Sequence, residues 1–274
     1  MPLLRLPEPY DFELSTGRYR AFGPDRANLW HEGALHRVVA GRDVRIAAAA
    51  GGVEVEPLDG EIERVVRTLL GADFDLASFY EFARGDAALA DLVKRFPGLR
   101  PPLNPDPFET LVTSITAQQV SLHAAFSIRN RLIERYGDPG EIAYAFPTRA
   151  ALAEAREDDL AALGFSRRKA EYVIGLAASA LDLDALASLP DEEVKDTLVG
   201  VRGLGEWTAD WFLARHLARP RAWPAGDLAV RKAVSRFYGD VPMLSILDVR
   251  ALGERFDPFQ NLAAHYLLAG LIAP

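Results

Sequence analysis

Short stretches of the first 57 positions place apolar residues at every second position. Val44, Ile46 and Ala48 are followed by Gly51-Gly52 and then by Val53 and Val55, which predicts a hairpin closed by a glycine turn. Leu35, Arg37 and Val39 predict a further strand. From Gly60 the period changes. Ile62, Val65, Val66, Leu69 and Leu70 follow the spacing of an amphipathic helix, and the rest of the chain reads as almost wholly helical.

Proline and glycine divide that helical part. The run Pro97-Gly98-Leu99-Arg100-Pro101-Pro102-Leu103-Asn104-Pro105 is a connector. After it, Asp106 is placed to cap a helix with Pro107 at its first position, carrying Phe108, Leu111, Val112 and Ile115. Ser121 caps the next, which ends at Gly137. Further helices are expected from about Arg149 to Leu163 with Gly164 as stop, from Ser166 to about Leu181, and from Asp191 to Val199. The pattern predicts an N-terminal β-rich layer followed by a helical bundle.

The 274 residues, 49% hydrophobic and 26% charged, suit one large domain or two smaller ones. No stretch approaches the roughly 18–20 apolar residues of a membrane span, and the opening Met1-Pro2-Leu3-Leu4-Arg5 lacks the apolar core of a signal peptide, so a cytoplasmic protein is expected. The absence of cysteine excludes disulfides, a thiol nucleophile, thiolate zinc and cysteine-bound iron–sulfur clusters, and five scattered histidines argue against catalytic zinc. A net charge of −8 opposes phosphate binding on average, yet the charge is uneven. Residues 198–239 hold Arg202, Arg215, Arg219, Arg221, Arg231, Lys232 and Arg236 against Glu206, Asp210 and Asp227, a local excess of four. Such a window is either a phosphate-facing surface or a chance cluster.

The segment from Leu198 to Ala209 carries the most specific chemistry. A helix enters, Gly200, Gly203 and Gly205 follow, and a helix leaves. Glycines permit a sharp turn and close backbone approach, and the N–H groups that open the second helix lack intrahelical acceptors. An anion such as a phosphodiester could dock there without reading base sequence, although a plain helix–helix turn would look the same. Twenty residues after Trp207 stands Asp227, either the N-cap of a helix starting at Leu228 or a carboxylate held against a groove. Trp207 and Trp211 share a helix face, as core residues or as the lining of a pocket for a planar base. Gln118 and Gln119 fall where the chain must turn between helices, in a position that could be a solvated corner.

Gly203-Leu204-Gly205-Glu206-Trp207-Thr208-Ala209, followed by Gly226-Asp227-Leu228-Ala229-Val230-Arg231-Lys232, resembles the helix-hairpin-helix (HhH-GPD) DNA glycosylase superfamily, with its closest likeness to the 3-methyladenine DNA glycosylase II branch. Pro107-Phe108-Glu109, Ala117-Gln118-Gln119-Val120-Ser121, Leu163-Gly164 with Arg168-Lys169-Ala170, and Pro9-Tyr10-Asp11-Phe12 extend the likeness over nearly the whole chain. The resemblance implies an α+β fold, with an N-terminal antiparallel β-sheet layer followed by a two-part all-helical bundle that contains the hairpin. It implies a β-rich domain with a flanking helix over residues 1–84 and a glycosylase domain over 85–274, with the hairpin at about 191–218 and the cleft between the two helical parts.

It further implies that Asp227 is the catalytic carboxylate, that Trp207 and Trp211 line the base pocket, and that Gly203, Gly205 and Thr208 of the hairpin bind a DNA phosphate through the backbone. Gln119 matches the wedge that fills the space left by a flipped base, where relatives often have a bulky apolar residue. Carbonyls of Val199, Val201 and Leu204 match those that hold a monovalent cation, Na⁺ or K⁺, in the hairpin; no other cofactor and no iron–sulfur cluster is implied. Pro258-Phe259-Gln260-Asn261 and His265-Tyr266-Leu267-Leu268 depart from the usual C-terminal helix and its aromatic residues.

The partner implied is double-stranded DNA with damaged bases, met by a monomer without a membrane. The reaction implied is flipping and hydrolytic release of an alkylated base, the cationic base resting on the face of Trp211. Relatives that also cut the strand have lysine where this chain has Trp207, and tryptophan cannot form a Schiff base. Two other readings stay open: a helix-hairpin-helix module that binds DNA without catalysis, and a small-molecule enzyme on a helical scaffold, suggested by the acidic total charge.

Overall fold

Strand β1 (Leu3–Arg5), helices α1 (Phe12–Thr16) and α2 (Arg18–Ala21), and strands β2 (Leu29–His31), β3 (Ala34–Val39), β4 (Arg42–Ala49) and β5 (Gly52–Glu56) build the first layer of the computed structural model, which describes residues 2–239 and 241–272. All pairings are antiparallel, in the order β1-β5-β4-β3-β2. Alternation sets the register: Ile46 stands opposite Leu35 on one side and Val55 on the other, and Leu4 opposite Val53. That apolar face is buried with Ile62, Val66 and Leu69 of helix α3 (Gly60–Leu69). Helices α1 and α2, only five and four residues long, interrupt the expected strands and are too short to show a helical period.

The remaining helices are α4 (Leu76–Ala83), α5 (Ala87–Arg95), α6 (Pro107–Ala117), α7 (Leu122–Tyr136), α8 (Arg149–Ala153), α9 (Glu157–Ala162), α10 (Arg167–Ala178), α11 (Asp191–Val199), α12 (Glu206–Arg215), α13 (Leu228–Tyr238), α14 (Ile246–Gly253) and α15 (Gln260–Ile272). Asp106 and Ser121 cap α6 and α7 as expected, by accepting from the Glu109 and Ala124 amides. The single helix expected from Arg149 to Leu163 is two. The acidic triplet Glu157, Asp158 and Asp159 favours a fresh N-terminus there, and α8 stops at Glu154. Helix α10 ends three residues short of Leu181, because the Ser179 hydroxyl and Arg149 guanidinium both bond the Leu176 carbonyl.

Packing separates the bundle into two parts. Helices α6 to α12 pack on one another, whereas α4 and α5 join α13, α14 and α15. Leu76, Phe79, Leu89 and Leu92 therefore belong to the helical core with Tyr266 and Leu267, and the sheet's own cluster ends at Ala72. The two hydrophobic clusters part between Ala72 and Leu76, inside the expected 1–84 segment and not at its end.

A charged network ties the layers together. Arg37 lies on the buried face of β3 and bonds Asn28 and Glu109, each at 2.8 Å. Glu109, wholly buried, also receives Arg129 of α7, whose guanidinium further bonds Asp25 and Thr113. Two cations and two carboxylates thus satisfy one another, which is the condition for burying them. Burial alone would raise the Asp25 carboxyl, but the Arg129 guanidinium outweighs it and holds Asp25 below its ordinary 3.8.

Replacing Arg129 with Met should cost about 3–5 kcal/mol in urea unfolding at pH 7, since it strands two buried carboxylates. A depressed carboxyl stabilises the fold above its unfolded pKa and loses that contribution as pH falls through the lower folded value. Without Arg129, burial dominates and Asp25 is raised instead. The acid-unfolding midpoint of Arg129→Met should therefore move to higher pH, and an unmoved midpoint would show that the pairing carries no stability.

Candidate active site

The hairpin is shaped by packing as much as by glycine. Between α11 and α12, Gly203 has φ +94°, a region that disfavours side chains, and a Cβ there would fall 2.2 Å from the Tyr172 ring of α10. The Val201 carbonyl accepts the Leu204 amide at 3.0 Å across the turn. Gln118 donates from Nε2 to the Gly203 carbonyl at 2.8 Å, and Lys169 Nζ donates to the Thr116 carbonyl at 2.9 Å, so the α6–α7 turn and the hairpin move as one unit. Gly205 differs from Gly203: its backbone is extended and a Cβ would meet nothing within 4 Å. It caps α12 with no side chain, so the first amides of that helix remain open to an external anion. Thr208 is buried as a whole residue, so neither its side chain nor its backbone presents surface to an external anion.

Asp227 serves as cap and cleft residue at once. Its Oδ1 accepts the Ala229 and Val230 amides at 2.8 and 3.0 Å, fixing the start of α13. Its Oδ2 accepts the indole N–H groups of Trp207 at 2.8 Å and Trp211 at 3.1 Å. The loop that carries it is tied down in turn, by Trp223 Nε1 to the Val249 carbonyl and by Asn261 Nδ2 to the Ala214 and Arg219 carbonyls. Four donors thus meet a group that offers about four acceptor positions.

Trp207, Trp211 and Asp227 face a cleft of about 520 Å³ between the sheet layer and the two helical parts. Arg18 of α2, Arg215 at the end of α12 and His265 of α15 line it as well. The Arg215 guanidinium sits 3.7 Å over the Trp211 ring, so the indole face expected to receive a cationic base is covered. His265 meets Trp211 edge-on at 5.8 Å and donates from Nδ1 to the Asn261 carbonyl at 2.9 Å. Burial, reinforced by Arg215, pushes its pKa down to about 3, leaving a neutral ring whose Nε2 faces Arg215 Nε at 3.5 Å. Sequence reasoning counted Arg215 only as part of the basic window, although its spacing from Trp207 and Trp211, four residues at each step, puts all three on one helix face. Arg18 carried no signal, lying almost two hundred residues away in a segment read as strand.

Gln119 stands on the α6–α7 turn in the left-handed region, φ +55°, exposed beside Val120 and Leu122. Three of the seven cations in the basic window are paired with carboxylates that lie outside it. Arg202 pairs with Glu171, Arg219 with Asp191 and Arg221 with Asp257, while Arg231 bonds the Leu244 carbonyl. Among the described residues only Lys232 and Arg236 of the seven stay exposed without such a partner. No lysine lines the cleft, and no cluster of His, Asp or Glu among the described residues could hold a metal ion. No described helix is long and apolar enough to cross a membrane.

The chain is similar to known proteins in sequence and in fold. The chain is 32% identical over 178 residues to a DNA-3-methyladenine glycosylase of Bacillus subtilis, covering 62% of this chain and 59% of that one. It is 32% identical over 197 residues to DNA-3-methyladenine glycosylase 2 of Escherichia coli, covering 69% and 66%. The chain thus spans less than two thirds of the length of these relatives. A solved 3-methyladenine DNA glycosylase of Archaeoglobus fulgidus superposes over 100% of this chain and 99% of its own, with TM-score 0.91 and 29% identity. Residues 112–243, which hold the hairpin, both cleft tryptophans and Asp227, match the HhH-GPD superfamily base excision DNA repair proteins, and the chain belongs to that superfamily.

Proposed function

We propose that this chain is a monofunctional DNA glycosylase that flips an alkylated base, of the 3-methyladenine type named for its relatives, out of double-stranded DNA and hydrolyses its N-glycosidic bond. The observation that carries the reading is the Asp227 carboxylate, held by four N–H donors in the wall of a cleft large enough to admit a base, beside an uncapped helix start. As the C1′–N bond breaks, its electron pair leaves with the base and positive charge develops on the sugar. A fixed carboxylate stabilises that charge without reorganising, and water completes the substitution at C1′. Asp227, accepting from four N–H donors, contributes its charge, and the water's proton passes to solvent.

The other roles follow from placement. A DNA phosphate docks at the open amides that begin with Gly205, and Gln119 enters the duplex from the rigidly attached turn. The hard carbonyl oxygens of Val199, Val201 and Leu204 suit Na⁺ or K⁺, which would add positive charge behind that phosphate; Val201 would use the lone pair not engaged by Leu204. Among the described residues that line the cleft there is no lysine, which favours base release that leaves the strand intact, since no lysine amine is there to form a Schiff base. With one DNA-binding face per chain, a monomer in the cytoplasm suffices, and no further cofactor enters the chemistry.

Single-turnover base release on a duplex with one alkylated base tests the central claim. Asp227→Asn should lower the rate at least about 10²–10³-fold while DNA affinity stays within a few-fold. An unimpaired rate in a folded variant would reduce Asp227 to a helix cap. The two hairpin glycines should separate cleanly: Gly203→Ala should lower the melting temperature by clashing with Tyr172, whereas Gly205→Val should fold normally and weaken binding to every duplex sequence alike. Full affinity in Gly205→Val would place the phosphate elsewhere. Gln119→Ala should slow release from duplex DNA and leave single-stranded substrate little changed, and equal losses on both would reject the wedge role.

A further inference from the structure

The charges on the cleft wall do not balance. Arg37, Arg129, Asp25 and Glu109 line its floor but close on one another through the buried network. What remains is Arg18 and Arg215 against Asp227. Asp227 spends its oxygens on two indoles and two backbone amides, and among the described residues neither arginine forms an ion pair with it or with any other carboxylate. Arg215, stacked on Trp211 and lining the cleft, uses only Nε, toward the neutral His265. Burial, followed by repulsion from Arg18, pushes the Arg215 pKa down, so the two cations sense each other across the same space.

From this placement we infer that the pocket selects neutral modified bases with ring or exocyclic acceptor atoms, held by the guanidinium groups of Arg18 and Arg215, over cationic ring-alkylated purines. The inference rests on the glycosylase reading alone and, for the base taken, replaces the 3-methyladenine type carried over from the relatives' names. A cationic base entering here would meet two like charges and find the Trp211 face covered. A neutral base instead offers acceptors that a guanidinium fork matches. The leaving groups differ in the same direction. A cationic base departs neutral and needs no help, whereas a neutral base takes the C1′–N electron pair and departs as an anion until it gains a proton. Guanidinium donors stabilise that anion, the water oxygen bonds to C1′, and the water's proton goes to the departing base or to solvent. Arg18 and Arg215 are then contact residues for specificity, and Asp227 keeps its role at the sugar.

The test is single-turnover release from matched duplexes carrying 1,N6-ethenoadenine or hypoxanthine, both neutral, and 7-methylguanine or 3-methyladenine, both cationic, each rate divided by its uncatalysed rate. The wild-type enhancement should be larger for the neutral pair. Arg18→Gln and Arg215→Gln should each lower it on neutral bases by about 10- to 100-fold while the cationic pair holds or gains, and Arg18→Lys should recover part of the loss. If Arg215→Gln proves to melt early, the wild-type ratio and the Arg18 variants decide alone. Greater enhancement on cationic bases that the Arg18 variants leave unchanged, or equal losses on both classes, would overturn the inference and leave the glycosylase reading standing. No release from any of the four duplexes would overturn that reading itself.

Discussion

One carboxylate joins the two halves of the helical bundle. Helix α12 packs with the first half and α13 with the second, and the chain crosses between them through the loop that ends at Asp227. Two of its four hydrogen bonds reach back to indoles on α12 and two start α13, so the residue placed to act on a sugar is also the joint across the cleft. This double duty constrains the chemistry. A carboxylate rigid enough to set the geometry of two helices has its lone pairs committed, and what it can give to a reaction is electrostatic.

The cleft sets that joint against a second buried charge system with the opposite logic. Beneath it, Glu109 and Asp25 are matched by Arg37 and Arg129, and the strand, α6 and α7 are held in register by ion pairs that use up each other's charge. Above it, Arg18 and Arg215 are partly withdrawn from water without a carboxylate partner. Burying a charge without a partner opposes folding, and a protein that tolerates two beside its reaction site has their field to use on a ligand. The difference between floor and wall is therefore a difference between structural and functional charge, visible in which groups are satisfied and not in how many there are.

Much of this was legible in the chain. The strand alternation around Val44 to Val55, the caps Asp106 and Ser121, the hairpin glycines and the position of Asp227 all express local rules that act within a few residues. What escaped depends on partners far apart in sequence. The basic window left a phosphate-facing surface and a chance cluster both open because a sum of charges ignores pairing, and Arg202, Arg219 and Arg221 turn out to be answered by Glu171, Asp191 and Asp257. Arg18 lies in a helix of four residues, too short for periodicity to announce, and reaches the cleft only because the sheet layer folds back over the bundle. The break between α8 and α9 was hidden because both pieces keep the same apolar period across it.

Gly203 and Gly205 show where such local rules stop and packing begins. In sequence they are equivalent members of one turn. In the structure Gly203 is demanded twice, by its left-handed backbone and by the Tyr172 ring where a Cβ would stand, and nothing about a ligand is needed to explain it. Gly205 is demanded by neither, since its backbone suits any residue and open space surrounds it. A serine or aspartate there would cap α12 with a side-chain oxygen and, relative to glycine, add roughly a few tenths of a kcal/mol of stability. A cap of that kind would place an oxygen on the amides that α12 otherwise presents to solvent, and aspartate would add a negative charge where a phosphate must come. The uncapped start of α12 is thus a feature of the hairpin that folding tolerates at little cost and anion binding can use.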